Sequence, residues 1–246
     1  TAWRAFPANV DECGEPWSDE RAATAAMLMV WGAYIETAEL MCHTLLALEQ
    51  RPAVRGEVLR EARAAGLLDG AGPEAARLDA WQLPYTLGVL RETLRTEPPG
   101  GGGFRVASEG IRIAGYDIPA GYVVTADPRI GNAMPEVFPD PDTFEPRRWV
   151  RGQGSSSGGG GCPLAGHATQ LAKGAWFPGG IGAHGCPGVP LAELVGRVFA
   201  VRWLQAVATW GRAEGGPELS FVTLPIKIPA DSYELELVPR AAAEAA

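Results

Sequence analysis

Residues 177–188 read Phe177-Pro-Gly-Gly-Ile-Gly-Ala-His-Gly-Cys186-Pro-Gly188, and a helical pattern begins directly after them at Val189-Pro190. Glycines at this density let a backbone hug a flat ligand or hold a strained turn. A cysteine just ahead of a helix start faces free amide donors and the positive end of the helix dipole. Both favour a thiolate, the form that binds metal. Pro190 suits a first turn, where its missing N–H costs nothing. Taken alone, the loop reads better as a buried thiol in an ordinary glycine turn.

Downstream, Leu191, Leu194, Val195, Val198, Val201 and Leu204 share one face of a helix expected over Val189–Trp210, and Leu219–Leu237 contains short strand-like runs. Upstream, Arg151–Gly161 is a Gly/Ser insert with the composition of a flexible surface loop. Pro135–Trp149 is proline-studded and extended. Gly110–Ala126 predicts two short strands, Ile111, Ile113 and Ile118 on the first side and Tyr122–Thr125 on the second, joined by a turn at Pro119-Ala120-Gly121.

Helical segments are expected over Val54–Ala65 and Ala75–Leu94, the latter divided by Pro84. Ahead of them a long helix starts at Ser18 with Asp19 and Glu20 in its first turn and runs to Gln50. Being apolar nearly all round through Met27–Ile35, it is expected to cross the middle of a domain. The order is that of a predominantly α, α+β fold.

The chain has 246 residues, 32 Gly, 21 Pro and a net charge of −8. At 46% hydrophobic and 20% charged it can bury a core. Its acidic balance argues against general nucleic-acid binding, which needs a basic surface. Four cysteines in a chain this long do not form a disulfide framework. Thr1–Val10 lacks a basic head followed by an apolar run, and the longest apolar stretch, Ala22–Ile35, is too short to span a bilayer.

Two further motifs give the cysteine loop its context. Glu92-Thr-Leu-Arg95 ends an apolar helix just before Pro98-Pro99; alone it is an ordinary surface pair. Pro146-Arg147-Arg148-Trp149 closes the proline-studded coil. Glu-x-x-Arg, then Pro-x-Arg-Trp, then a Gly-rich Cys-x-Gly opening a helix, together resemble the cytochrome P-450 family. The resemblance extends to Leu46–Pro52, Leu83–Arg95, Gly115–Gly121 and Phe138–Phe144, covering essentially Ser18 to Leu237. Gly100–Gly103 and Gly179-Gly180 look most like the retinoid- and sterol-hydroxylating branches.

The resemblance implies a haem-thiolate monooxygenase that inserts one atom of O2 into an apolar substrate, lipid-, sterol-, retinoid- or terpenoid-like. Electrons would come from a reductase or ferredoxin. Cys186 would be the axial ligand of haem iron. Gly182 and Gly188 would line the cofactor loop, with Arg105 and His184 binding the propionates. Glu92, Arg95 and Arg148 would form a buried structural charge cluster. Ala33-Tyr-Ile-Glu36-Thr37 matches the oxygen-activation segment, in which Glu36 and Thr37 relay protons. Ala33, Val106, Ala107 and Ile226 would touch substrate.

Residues 1–246 then read as one partial domain, from the central helix to the C-terminus. Membrane contact would come only through an N-terminal segment outside the chain.

The departures are specific. Tyr34 stands where a glycine is expected and could crowd the oxygen pocket. The signature phenylalanine is expected seven residues before the cysteine, where Gly179 stands; Phe177 lies nine before it. Three other readings follow from such features: a truncated or subunit-like relative without activity, a haem-thiolate hydroperoxide isomerase, and a zinc site built from Cys162, His167, His184 and Cys186. Arg147, Arg148, Arg151, Arg197 and Arg202 are either scattered surface charge or a docking face for an acidic electron donor.

Overall fold

A computed structural model describes residues 14–68, 82–100, 103–150, 176–180, 185–223, 227–230 and 233–240. The long helix α1 spans Asp19–Gln50, capped by the Ser18 hydroxyl, which accepts the Arg21 amide at 3.2 Å. α2 follows at Pro52–Ala64 and α3 at Pro84–Thr96. Pro84 opens α3, where its ring fixes a helical φ and its absent N–H is not needed; the expected helical stretch at 75–81 lies outside the described residues. The amides of Tyr85 and Thr86, which the first turn leaves free, donate to the Glu61 carboxylate of α2 at 2.6 and 2.8 Å.

Among the described residues, three strands rather than two lie within 110–126, and a further strand precedes them. β1 (Gly103–Val106) pairs antiparallel with β4 (Val123–Ala126), and β2 (Ile111–Ile113) with β3 (Tyr116–Ile118). The tight hairpin turn is Ala114-Gly115, both at positive φ (49° and 91°), as a two-residue reversal between right-twisting strands demands. Pro119–Gly121 instead forms the corner leading back to β4. The coil holds a short helix α4 (Pro128–Asn132) and a 3₁₀ turn at Pro146–Trp149.

α5 spans Val189–Ala206, four residues shorter than its periodicity suggests, because Val207–Arg212 (β5) pairs with β8 (Leu235–Pro239). That pairing buries Val207 and Trp210, and tertiary contact overrides helical spacing. β6 (Phe221–Thr223) pairs with β7 (Lys227–Pro229).

The main core forms where α1, α2, α3, α5 and β5 meet: Leu48, Val58, Tyr85, Val89, Leu204, Val207 and Trp210. Every buried residue of α1 lies in its C-terminal half, from Glu39 to Leu48. The all-round apolar stretch ahead of it does not cross the middle of this structure. Met27 is 74% and Tyr34 76% exposed, because no described element packs over them. No helix among the described residues is long and apolar enough to cross a membrane.

Candidate functional site

Glu92 sits on the buried face of α3 with no exposed surface. Its Oε1 accepts Arg95 Nη2 at 2.8 Å, Arg148 Nε at 3.1 Å and the Glu145 amide at 2.9 Å. Its Oε2 accepts Arg95 Nε at 3.0 Å and Trp149 Nε1 at 2.8 Å. Arg95 in turn donates to the carbonyls of Asn132 and Thr143. A buried carboxylate with this many donors is fully compensated, whereas an exposed i, i+3 pair would contribute little. The three charged residues of the expected cluster are thus brought together.

Trp149, Asn132 and Glu145 complete that cluster, although no sequence motif assigned them a place in it. For Trp149 the signal was present: an aromatic donor directly after Arg148. Its ring also packs 4.6 Å from that of Trp176 and 6.0 Å from Phe138. Trp176 directly precedes Phe177, so one indole touches both the Glu92 carboxylate and the start of the cysteine loop.

Cys186 stands exposed ahead of α5 and is a free thiol, not the buried one that an ordinary glycine turn would hold. Its amide donates to the Gly179 carbonyl at 2.6 Å, and the Gly188 amide donates to its sulfur at 3.4 Å. The departure at position 179 has a steric counterpart. A Cβ there would overlap Val189 Cγ2 and lie 3.2 Å from Cys186 Cβ, so this loop conformation favours glycine. A sulfur that is accessible, amide-capped and set at the start of an 18-residue helix fits an axial thiolate ligand.

Of the other expected cofactor contacts, Arg105 lies on β1 with its guanidinium in solvent, Nη1 donating to the Phe104 carbonyl at 2.7 Å. It is free to reach an anionic group. Gly182 and His184 lie outside the described residues, as do Ile226, the Gly/Ser insert, Cys162 and His167. Among the described residues no group of three or more His, Cys, Asp or Glu could hold a metal ion.

On α1, Ala33, Tyr34 and Glu36 are exposed and Thr37 is half-buried. Glu36 keeps much of its surface in solvent, and desolvation of the part that lies against the chain raises its carboxyl above the ordinary glutamate value. Val106 is exposed. Ala107 is buried, where its amide and carbonyl continue the β1–β4 pairing to Tyr122 and Gly121. His43 is packed rather than ligating, stacked on Phe221 and 3.6 Å from Glu39. Arg147, Arg148, Arg197 and Arg202 all donate to groups within the chain.

The sequence profile of the family described as Cytochrome P450 matches residues 7–209. The chain is 29% identical over 229 residues to Cytochrome P450 26A1 of Xenopus laevis, covering 92% of this chain and 43% of that protein. It is 33% identical over 141 residues to cyclooctat-9-en-7-ol 5-monooxygenase of Streptomyces melanosporofaciens, covering 56% of this chain and 27% of that one. The solved structure titled "Retinoic acid bound cyanobacterial CYP120A1" superposes with a TM-score of 0.75 at 27% identity, over 94% of this chain and 49% of that chain. The chain spans about half the length of the relatives it matches.

Proposed function

The chain belongs to the cytochrome P450 family, and on that premise we propose that it forms the haem-binding portion of a monooxygenase acting on an apolar substrate of the terpenoid, sterol or retinoid kind. The observation that carries this reading is the Cys186 sulfur, open to a ligand and capped by the Gly188 amide. A loop that Trp176 and Trp149 join to the Glu92 cluster holds it in place. Haem bound through this thiolate would supply the oxygen activation.

The chain's own residues have distinct tasks. Cys186 provides the thiolate, and the Gly188 N–H withdraws charge from it. Arg105, with His184, neutralises carboxylates at the rim of the site. Glu92, Arg95 and Arg148 fix the coil against α3 and touch no substrate. Glu36 holds a proton to higher pH than an ordinary glutamate, and a proton relay would use its carboxyl and the Thr37 hydroxyl. Ala33 and Val106, with Ile226, supply apolar contact to the substrate. The similarity to a retinoid-binding structure and a terpenoid monooxygenase supports that substrate class.

Turnover with a generic ferredoxin and ferredoxin reductase tests the reading. Products should be substrate plus one oxygen atom, labelled when 18O2 is supplied. Unlabelled product, or rearrangement of a hydroperoxide without reductase, would identify the isomerase chemistry instead. A second reading, a subunit inactive by itself, is favoured by the stretch Met27–Tyr34, over which no described element packs. Failure of the chain alone to bind haem would support it, and tight stoichiometric haem binding would count against it.

A further inference from the structure

A cavity of about 360 Å³ lies where the C-terminal turns of α1 and α3 meet α4 and β6. Its size is that of a small-molecule pocket. Three arginines line it, and two of them are neutralised within the chain. Arg95 is held by Glu92 and Arg129 by Asp127, each at 2.8 Å. Arg51, at the junction of α1 and α2, has no carboxylate within salt-bridge distance among the described residues. Its Nη1 donates to the Ala47 carbonyl at 3.4 Å and to Gln50 Oε1 at 3.3 Å, while Nε and Nη2 have no acceptor among the described residues.

The Arg51 guanidinium is held in place before any ligand arrives. Two bonds fix its Nη1 corner, and its centre lies 4.6 Å over the Phe144 ring. It is half-buried, and burial pulls it below the ordinary arginine pKa although Glu92 acts in the opposite sense. A cation partly stripped of water and short of an anion gains from acquiring one. The open Nε–Nη2 edge is a fork that matches both oxygens of a carboxylate. Gln50, its Oε1 taken by Arg51, keeps an Nε2 donor unused among the described residues. The negative pole of α1 and the positive pole of α2 meet at Arg51 and offset each other. Two acids, Glu97 and Asp142, also line the cavity and disfavour a second negative charge.

We propose that this cavity binds a small organic monocarboxylate with a short apolar body. Its two oxygens take Arg51 Nε and Nη2, and the Gln50 amide adds a third donor. The body lies against Leu46, Phe144 and Leu219, which also line the cavity. Arg51 stands fourteen residues past Thr37, about 20 Å along α1, so the site is separate from the oxygen-activation segment. The proposal depends neither on haem nor on the reaction proposed above.

Calorimetric titration of the chain with hexanoate, hexanol and adipate, one six-carbon skeleton with one, no and two carboxylates, tests it. Hexanoate should bind more tightly than either of the others. Arg51→Gln should weaken hexanoate about 10-fold or more and leave hexanol unchanged. Arg51→Lys, which keeps the charge but not the fork, should also weaken it. Asp142→Asn should tighten hexanoate about 2- to 5-fold. Asp142 is exposed, so this variant keeps the test valid if neither Arg51 variant folds. Absence of saturable hexanoate binding would overturn the proposal. So would hexanol or adipate binding as tightly as hexanoate, or an unchanged hexanoate affinity in any of the three variants.

Discussion

The Glu92 carboxylate takes five donors and has no exposed surface, whereas the Cys186 sulfur takes one amide and stands open. Both belong to motifs of the same family, and a single pair of tryptophans joins them. The contrast separates two kinds of site. A structural ion cluster is complete within the chain, because any unsatisfied charge in it would cost several kcal/mol. A cofactor ligand keeps a bonding position vacant, and its surroundings hold the backbone rather than the side chain.

Removing charge from the closed site therefore has the largest expected effect. Glu92→Ala leaves Arg95 buried without its anion and should cost about 3–5 kcal/mol in urea unfolding. A loss below about 1 kcal/mol would erase the distinction. Next comes the link between the sites. Trp149→Phe deletes the N–H to Glu92 while keeping most of the ring contact with Trp176, and should cost about 1.5–3 kcal/mol. It should also weaken haem affinity; unchanged haem binding would show that the loop stands without the cluster.

A smaller effect is expected on α1. Glu36 binds its proton more tightly in the folded chain than in the unfolded one, so its contribution is fully present at low pH. That contribution is lost as pH rises through the raised value. Glu36→Gln should flatten the stability profile above the ordinary glutamate value. An identical slope in both proteins would refute the assignment.

How far these two regions were legible in sequence follows from the same contrast. Glu92, Arg95, Arg148 and Cys186 announce themselves because their chemistry requires those residue types at those spacings. Trp149 is half-announced, as an aromatic N–H donor directly after Arg148, whereas Asn132 acts through backbone carbonyls, which many residues in many patterns can supply, so no spacing marks it. The strand errors have a similar origin. Ala114-Gly115 is a weaker turn signal than Pro119-Ala-Gly121, yet cross-strand pairing of Ile111 with Ile118 decides the register. The α1 reading failed for a different reason. An all-round apolar helix correctly signals burial, but burial needs a covering layer, and the described residues do not provide one over Met27–Tyr34.

The account rests on one open sulfur, and a ferrous–CO spectrum of the haem-loaded chain tests it most directly. Wild type should show the red-shifted Soret band of thiolate-ligated haem. Cys186→Ala should lose that band while unfolding within about 0.5 kcal/mol of wild type, since its side chain is exposed. A thiolate-type band that survives in Cys186→Ala, or one missing from haem-loaded wild type, would contradict the assignment.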